Sequence, residues 1–225
     1  SPEDFAQEFL CDPDAATRGS VYGNALDLLA DMGGFVEVPI DRSLPVNTAW
    51  DLGWDDATAI WFFQQRGEMV TLNGFMEVSH TDLETLAHEL HARSYAGKAY
   101  RYGYHLLPHD VEVHELGKGM TRKAILQAAG MQRIYTVPKR SEPEMIAAAR
   151  RLIPKCVFSL SATAVGVMKL RQYSRKFNDK TGVFSLKPTH DSNSHAASAF
   201  QQLAIGLRRV YNAQTDPNSS TGAEL

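Results

Sequence analysis

The chain has 225 residues, of which 44% are hydrophobic and 22% charged, with a formal net charge of −3. That length supports one good-sized core with at most a small appendage, and no run of about 18 apolar residues occurs, so no membrane span is expected. The acidic start, Ser1-Pro-Glu-Asp-Phe5, is unlike a secretory signal, and the two cysteines, Cys11 and Cys156, suit a reducing compartment and argue against a zinc site.

The small net charge hides a division. Residues 1–120 carry 20 Asp and Glu against 7 Lys and Arg, whereas residues 121–225 carry 6 against 16. Solvated faces would give this pattern. So would an acidic metal site and a basic nucleic-acid surface contributed by different halves.

In chain order, residues 1–46 read as a connecting segment containing one amphipathic helix, Gly23 to Met32, stopped by Gly33-Gly34. Thr48 to Leu52 then reads as a strand, with a tight turn at Gly53 to Asp56 and a strongly apolar strand from Ala57 to Gln64. Arg66-Gly67-Glu68 turns into a third strand, Met69 to Val78, and the short connections predict an antiparallel meander. Thr81-Asp-Leu-Glu84 reads as a capping box for a helix stopped at Gly97, and Tyr102 to Leu107 as the next strand. Alternating units follow: a helix capped by Thr121 and stopped at Gly130, a strand at 132–137, a boxed helix from Ser141 to about Leu152, and a short extended run, Cys156 to Ser159. Helices are expected from Ala162 to Tyr173 and from Asn193 to Asn212, with a disordered tail over 213–225. The sum is an α/β fold of the ribonuclease H-like type. It has a mixed sheet of a three-strand meander plus parallel strands, flanked by helices, and residues 47–212 form the domain proper.

Asp51 stands out. Its neighbours Ala49, Trp50 and Leu52 look buried, so its charge needs compensation. It is either a partly exposed aspartate bonding its own turn or a metal-binding carboxylate. Asp110 follows the end of the 102–107 strand, where sites form in open α/β sheets, yet a plain loop aspartate has the same look. Asp191 precedes the last helix and also suits helix capping. Three acids on such elements are placed to converge, and hydrolysis of a phosphodiester by two Mg2+ or Mn2+ ions needs such carboxylates. The basic half then supplies Lys118, Lys139, Arg140, Arg150, Arg151, Lys169 and Arg171, with Arg175 and Lys176, to track the phosphates of double-stranded DNA. Other motifs fail. His88-Glu-Leu-His91 lacks the spacing of a zinc-protease helix because position 92 is Ala, and no phosphate-binding loop for ATP occurs. Gly117-Lys-Gly119 is a flexible turn, and Trp50, Trp54 and Trp61 are read as core.

Trp50-Asp-Leu-Gly-Trp-Asp-Asp-Ala-Thr-Ala59, Leu107-Pro-His-Asp110 and His190-Asp-Ser-Asn-Ser-His-Ala-Ala-Ser-Ala-Phe200 resemble, in order and spacing, the C-terminal nuclease domain of tailed-bacteriophage terminase large subunits. Glu8-Phe-Leu-Cys-Asp-Pro13 is similar to the stretch joining that nuclease to its ATPase domain, and the likeness runs from about Phe5 to Arg208. The resemblance implies a two-metal endonuclease that cuts concatemeric viral DNA during packaging, in the cytoplasm of an infected or lysogenic bacterial host. The missing ATPase domain, the small terminase subunit and the portal would be its partners. Asp51 and Asp110 match the family's first two metal-binding acids. The last family motif commonly reads S-H-x-A-D-A-F, and here Ser198 stands where the aspartate is usual. Asp191, with His195 beside it as a ligand or proton-transfer group, is expected to take the third position; otherwise the site is weakened. A resolvase or transposase-like nuclease would share the fold and acids, and a module that binds DNA or a packaging protein without cutting would tolerate Ser198.

Overall fold

The structure is a computed structural model, which describes residues 19–53, 57–114 and 119–215. Its elements are α1 (Gly23–Asp31), β1 (Phe35–Val36), β2 (Val46–Asp51), β3 (Thr58–Arg66), β4 (Met69–Val78), α2 (Leu83–Ala92), β5 (Ser94–Tyr95), β6 (Lys98–Ala99) and β7 (Tyr102–Leu107). They continue with α3 (Arg122–Ala128), β8 (Ile134–Thr136), α4 (Glu142–Leu152), β9 (Cys156–Ser159), α5 (Leu160–Gln172), β10 (Arg175–Asn178), β11 (Val183–Pro188) and α6 (Ser194–Thr215).

Seven strands form one sheet in the order β1-β9-β4-β3-β2-β7-β8. The meander β2-β3-β4 is antiparallel, and parallel strands extend it on both sides, β7 and β8 beyond β2, β9 and β1 beyond β4. This is the ribonuclease H-like mixed sheet that the sequence predicts. β2 is buried from Val46 through Trp50, as a central strand covered on both faces must be. Alternation sorts its side chains: Ala49, with Ala59, Trp61 and Phe63 of β3, packs beneath α1, α4, α5 and α6, while Trp50, Ile60 and Phe62 pack beneath α2 and α3.

Trp61 anchors the first of these faces. Its ring meets Phe75, Phe158 and Phe200, and its Nε1 donates to the carbonyl of Ala196 at 2.9 Å. Gly166 lets α5 close on that ring, since a Cβ there would lie 2.4 Å from the indole. Truncating a ring packed in this way costs roughly 3–5 kcal/mol.

Several boundaries differ from expectation for local reasons. Asp82, not Thr81, caps α2, accepting from the Thr85 amide at 2.8 Å. That helix ends at Ala92, and Gly97, at φ 72°, turns the small hairpin β5–β6 instead of stopping the helix. Residues 19–46, expected as a connector, join the domain's core: Val21, Tyr22, Leu26 and Leu29 are buried, and β1 pairs with β9. The hairpin β10–β11 was not expected. β11 is exposed from Val183 to Lys187, so it lacks the alternation that marks a half-buried strand. The connecting stretch before residue 19, Asp55-Asp56, Lys118 and the tail beyond 215 lie outside the described residues.

One buried chain of polar groups ties β2 to β7. Trp50 Nε1 donates to Thr48 Oγ1 at 2.6 Å, and Thr48 Oγ1 lies 2.7 Å from His105 Nδ1. With the indole as donor, the threonine proton is best spent on Nδ1, which leaves the imidazole proton on Nε2. Burial first, and the neighbouring His91 second, push the His105 pKa down to about 3. The folded state therefore keeps His105 neutral while the unfolded chain takes up a proton below about 6.5. The stability that depends on neutral His105 is complete above that pH and is lost as the pH falls toward 3. Urea titrations at stepped pH will show it. Between pH 6.5 and 4 the unfolding free energy of His105→Gln should fall less steeply than that of the parent, by up to about 1.4 kcal/mol per pH unit.

Candidate metal centre

β2 and β7 are parallel neighbours, with Ala49 opposite Leu106, so their C-terminal ends open on one edge of the sheet. Asp51 is the last residue of β2, and Asp110 sits in a 3-10 turn, His109–Glu112, just past β7. α6 begins above them. Because Trp61 holds the Ala196 carbonyl, the adjacent His195 is set over Asp51, with its Nδ1 3.1 Å from Oδ2. His190 stands beside it, ring centroids 5.7 Å apart, and places its Nδ1 2.9 Å from Ser194 Oγ.

The side chain of Asp51 is 24% exposed and that of His195 10%. Burial raises the Asp51 pKa above the usual carboxylate value, outweighing the hydrogen bond and charge of His195, and the negative charge of Asp110 pushes the same way. Two carboxyl groups thus feel each other in a poorly solvated notch. Asp110 Oδ2 lies 3.6 Å from Arg122 Nη1, while its Oδ1 is buried with no hydrogen-bond partner among the described residues. A buried carboxylate oxygen without a donor is costly, and a hard divalent cation is the kind of group that would satisfy it. Asp51 and Asp110 supply oxygen donors of the kind such an ion takes.

Sequence reasoning missed Glu77. Asp51 pairs with Ala59, and Ala59 with Glu77, so the two acids share a face with one strand between them. Glu77 Oε2 is held at 2.7 Å by Lys169 Nζ, which also donates to the Ser192 carbonyl at 2.7 Å, and Glu77 Oε1 is buried without a partner among the described residues. The signal available was an acid at a position whose alternation points it to the same face as Asp51.

Asp191 is exposed and shapes its own turn. Its Oδ1 accepts from the Asn193 amide at 2.8 Å and its carbonyl from the Ser194 amide at 3.0 Å. Ser198, half-buried, stands one helical turn beyond His195. Among the described residues no three His, Cys, Asp or Glu side chains converge as a ready metal cluster.

The expected cations are dispersed. Lys139 and Arg140 are exposed just after β8, at the same sheet end as Asp51. Arg150 and Arg151 close α4 at the other end, with Arg150 Nε donating to the Val21 carbonyl at 3.0 Å. Lys169 pairs with Glu77, and Arg171 is buried against Asp27. The unexpected hairpin carries the expected Arg175 and Lys176, together with Lys180 and Lys187, shortly before His190. No helix of the described residues is long and apolar enough to cross a membrane.

No protein-family model and no curated protein matches the chain. Solved structures do. The large terminase of a thermophilic bacteriophage, in complex with ADP, superposes with a TM-score of 0.58 at 13% identity, over 84% of this chain and 44% of that one. The chain therefore spans less than half of that protein. The large-terminase nuclease domain of bacteriophage P22 matches with a TM-score of 0.54 at 20% identity, over 77% of this chain and 86% of that domain. The nuclease domain of the bacteriophage SPP1 large terminase, with bound Mn, gives 0.53 at 13% identity, over 78% and 95%. At these identities the likeness is one of fold.

The Lys169–Glu77 bridge joins β4 to the loop that leads into α6, at side-chain exposures of 12% and 19%. Removing the cation alone strands a half-buried carboxylate. Lys169→Met is expected to lower the unfolding free energy by about 2–3 kcal/mol, and Lys169→Met with Glu77→Leu to recover most of it, read from urea denaturation midpoints.

Proposed function

We propose that the chain is a divalent-metal-dependent DNA endonuclease domain of the terminase large-subunit type. The observation that carries this reading is the pairing of Asp51 and Asp110 at adjacent parallel strand ends, in a notch roofed by His195, with a buried Asp110 oxygen that no protein donor reaches among the described residues. Asp51 and Asp110, with Asp191 and His195 as the remaining donors, would hold the Mg2+ or Mn2+, in this reading two ions. Ions bound there would supply Lewis acidity toward a phosphodiester and a water acidified enough to attack it.

The chain's own groups have separable tasks. His195 fixes one oxygen of Asp51 through its Nδ1. Arg122 steadies the outer oxygen of Asp110 at long range. Lys139 and Arg140 on one flank, and the basic hairpin on the other, would grip the backbone of double-stranded DNA across the acidic edge, giving salt-dependent and sequence-tolerant binding. The manganese named for the SPP1 domain and the greater length of the thermophilic phage's terminase support the wider reading. In it the chain is half of a packaging enzyme whose other half is an ATPase, with a small terminase subunit and a portal as partners. It would cut concatemeric viral DNA in the cytoplasm of an infected or lysogenic bacterium.

Ser198 favours a second reading, a DNA- or packaging-protein-binding module that no longer cuts, since a serine hydroxyl is a poor substitute for a carboxylate on a hard cation. Supercoiled plasmid separates the two. With Mn2+ the parent should nick it, Asp51→Ala and Asp110→Ala should lose at least about a hundredfold in rate, and Ser198→Asp should cut faster than the parent. Equal cutting by Asp51→Ala would remove Asp51 from the mechanism. DNA binding without cutting, and without heat on Mn2+ titration, would establish the second reading. Preference for branched over linear DNA would point to a resolvase-like enzyme of the same fold.

A further inference from the structure

At the end of the sheet opposite Asp51, a cavity of about 580 Å3 opens between the starts of β2, β7 and β8 and the end of α2. Its volume is that of an ordinary small-molecule site. His91, Arg101, Gln132 and Arg133 stand around it, Tyr102 and His105 form its inner wall, and no carboxylate of the described residues lines it. The lining therefore offers donors and positive charge with nothing to neutralise them.

Three details point to one kind of ligand. Arg133 holds a left-handed backbone, φ 55°, pinned by the hydrogen bond from the His105 amide to its carbonyl at 3.1 Å. Such a conformation is strained for a residue with a side chain, yet the guanidinium it presents makes no hydrogen bond or ion pair among the described residues. Among the described residues Arg101 is anchored at one nitrogen, Nη2 donating to the Ser43 carbonyl at 2.7 Å, which leaves the rest of its fork without a partner there. His105 spends Nδ1 on Thr48, so the remaining N–H of this cavity-lining ring has no acceptor among the described residues. Two guanidinium groups, an imidazole N–H and an amide around an acid-free hollow match the acceptor oxygens of a phosphate.

We propose that this cavity is a phosphate-binding site, remote from the carboxylate notch, in which Arg101 and Arg133 grip the phosphate, His105 Nε2 donates to it and the Tyr102 ring packs against the group that carries it. The phosphate belongs to a free nucleotide-sized compound or to a nucleic-acid backbone; the recognition chemistry is the same. The proposal does not rest on the nuclease reading.

The test uses the whole chain in EDTA, so that the metal notch plays no part. Pyrophosphate is titrated by calorimetry and a short fluorescent duplex by anisotropy. Arg133→Gly deletes the guanidinium while suiting the positive φ, so its melting midpoint should equal or exceed the parent's and any loss of binding is chemical. Pyrophosphate should bind the parent and bind Arg133→Gly at least about tenfold more weakly, with Asp51→Asn unchanged. If the duplex also weakens in Arg133→Gly and competes with pyrophosphate, the natural phosphate is a nucleic-acid backbone. If the duplex is unaffected while pyrophosphate weakens, it is a free compound. No heat with millimolar pyrophosphate, or equal affinity in parent and Arg133→Gly, overturns the proposal whatever the plasmid assay gives.

Discussion

The hydrogen bond from Trp61 to the Ala196 carbonyl is the constraint on which the rest of the architecture leans. It joins the middle of a central strand to the first turn of the last helix, and an indole N–H buried there has one proton to give. Three aromatic rings and the bare backbone of Gly166 crowd the ring so that it cannot turn away. The first turn of α6 consequently has one height and one rotation above the sheet. His195 meets Asp51 because its neighbour in sequence is held fast.

The division of charge along the chain acquires a different meaning in three dimensions. The acids of the first half and the bases of the second do not form two facing patches; many are matched to one another. Asp27 takes Arg171, Glu68 takes Lys155, Glu77 takes Lys169, and Asp110 leans toward Arg122. The sheet is built largely from the acidic half and its last helices from the basic half, so packing helices on the sheet brings the signs together. Elsewhere like charges collect instead, acids at the notch of Asp51 and Asp110, and bases after β8, along the hairpin and around the cavity of Arg101 and Arg133.

Much of this was legible in the residues. The meander could be read because short turns and long apolar runs leave few alternatives, and Asp51 could be singled out because its neighbours are so apolar. Asp110 followed from its place after a strand. Other features gave no such signal. Lys169 and Arg171 look like any surface cations until α5 is seen to lie against Glu77 and Asp27, because charge in a sequence does not say which way a helix face turns. Glu77 was hidden by the opposite effect, an acid that alternation allows to be solvent-facing. The strand pair at 175–188 is held by its own backbone bonds with little burial, and periodicity reports burial. At the other end of the sheet, the left-handed backbone of Arg133 has no counterpart in composition or spacing.

The 144 residues that separate Asp51 from His195 also set an order of events. Both acids, and the parallel strands that align them, are complete once the chain has been made as far as β7 and its following turn. Their roof comes 144 residues after Asp51, at the start of α6. A growing polypeptide would therefore carry its two carboxylates uncovered, with neither the imidazole nor the Lys169 brace in place, until α5 and the start of α6 had been made. Closure of the notch thus waits on α6, and a chain ended before it would carry the acids without their roof.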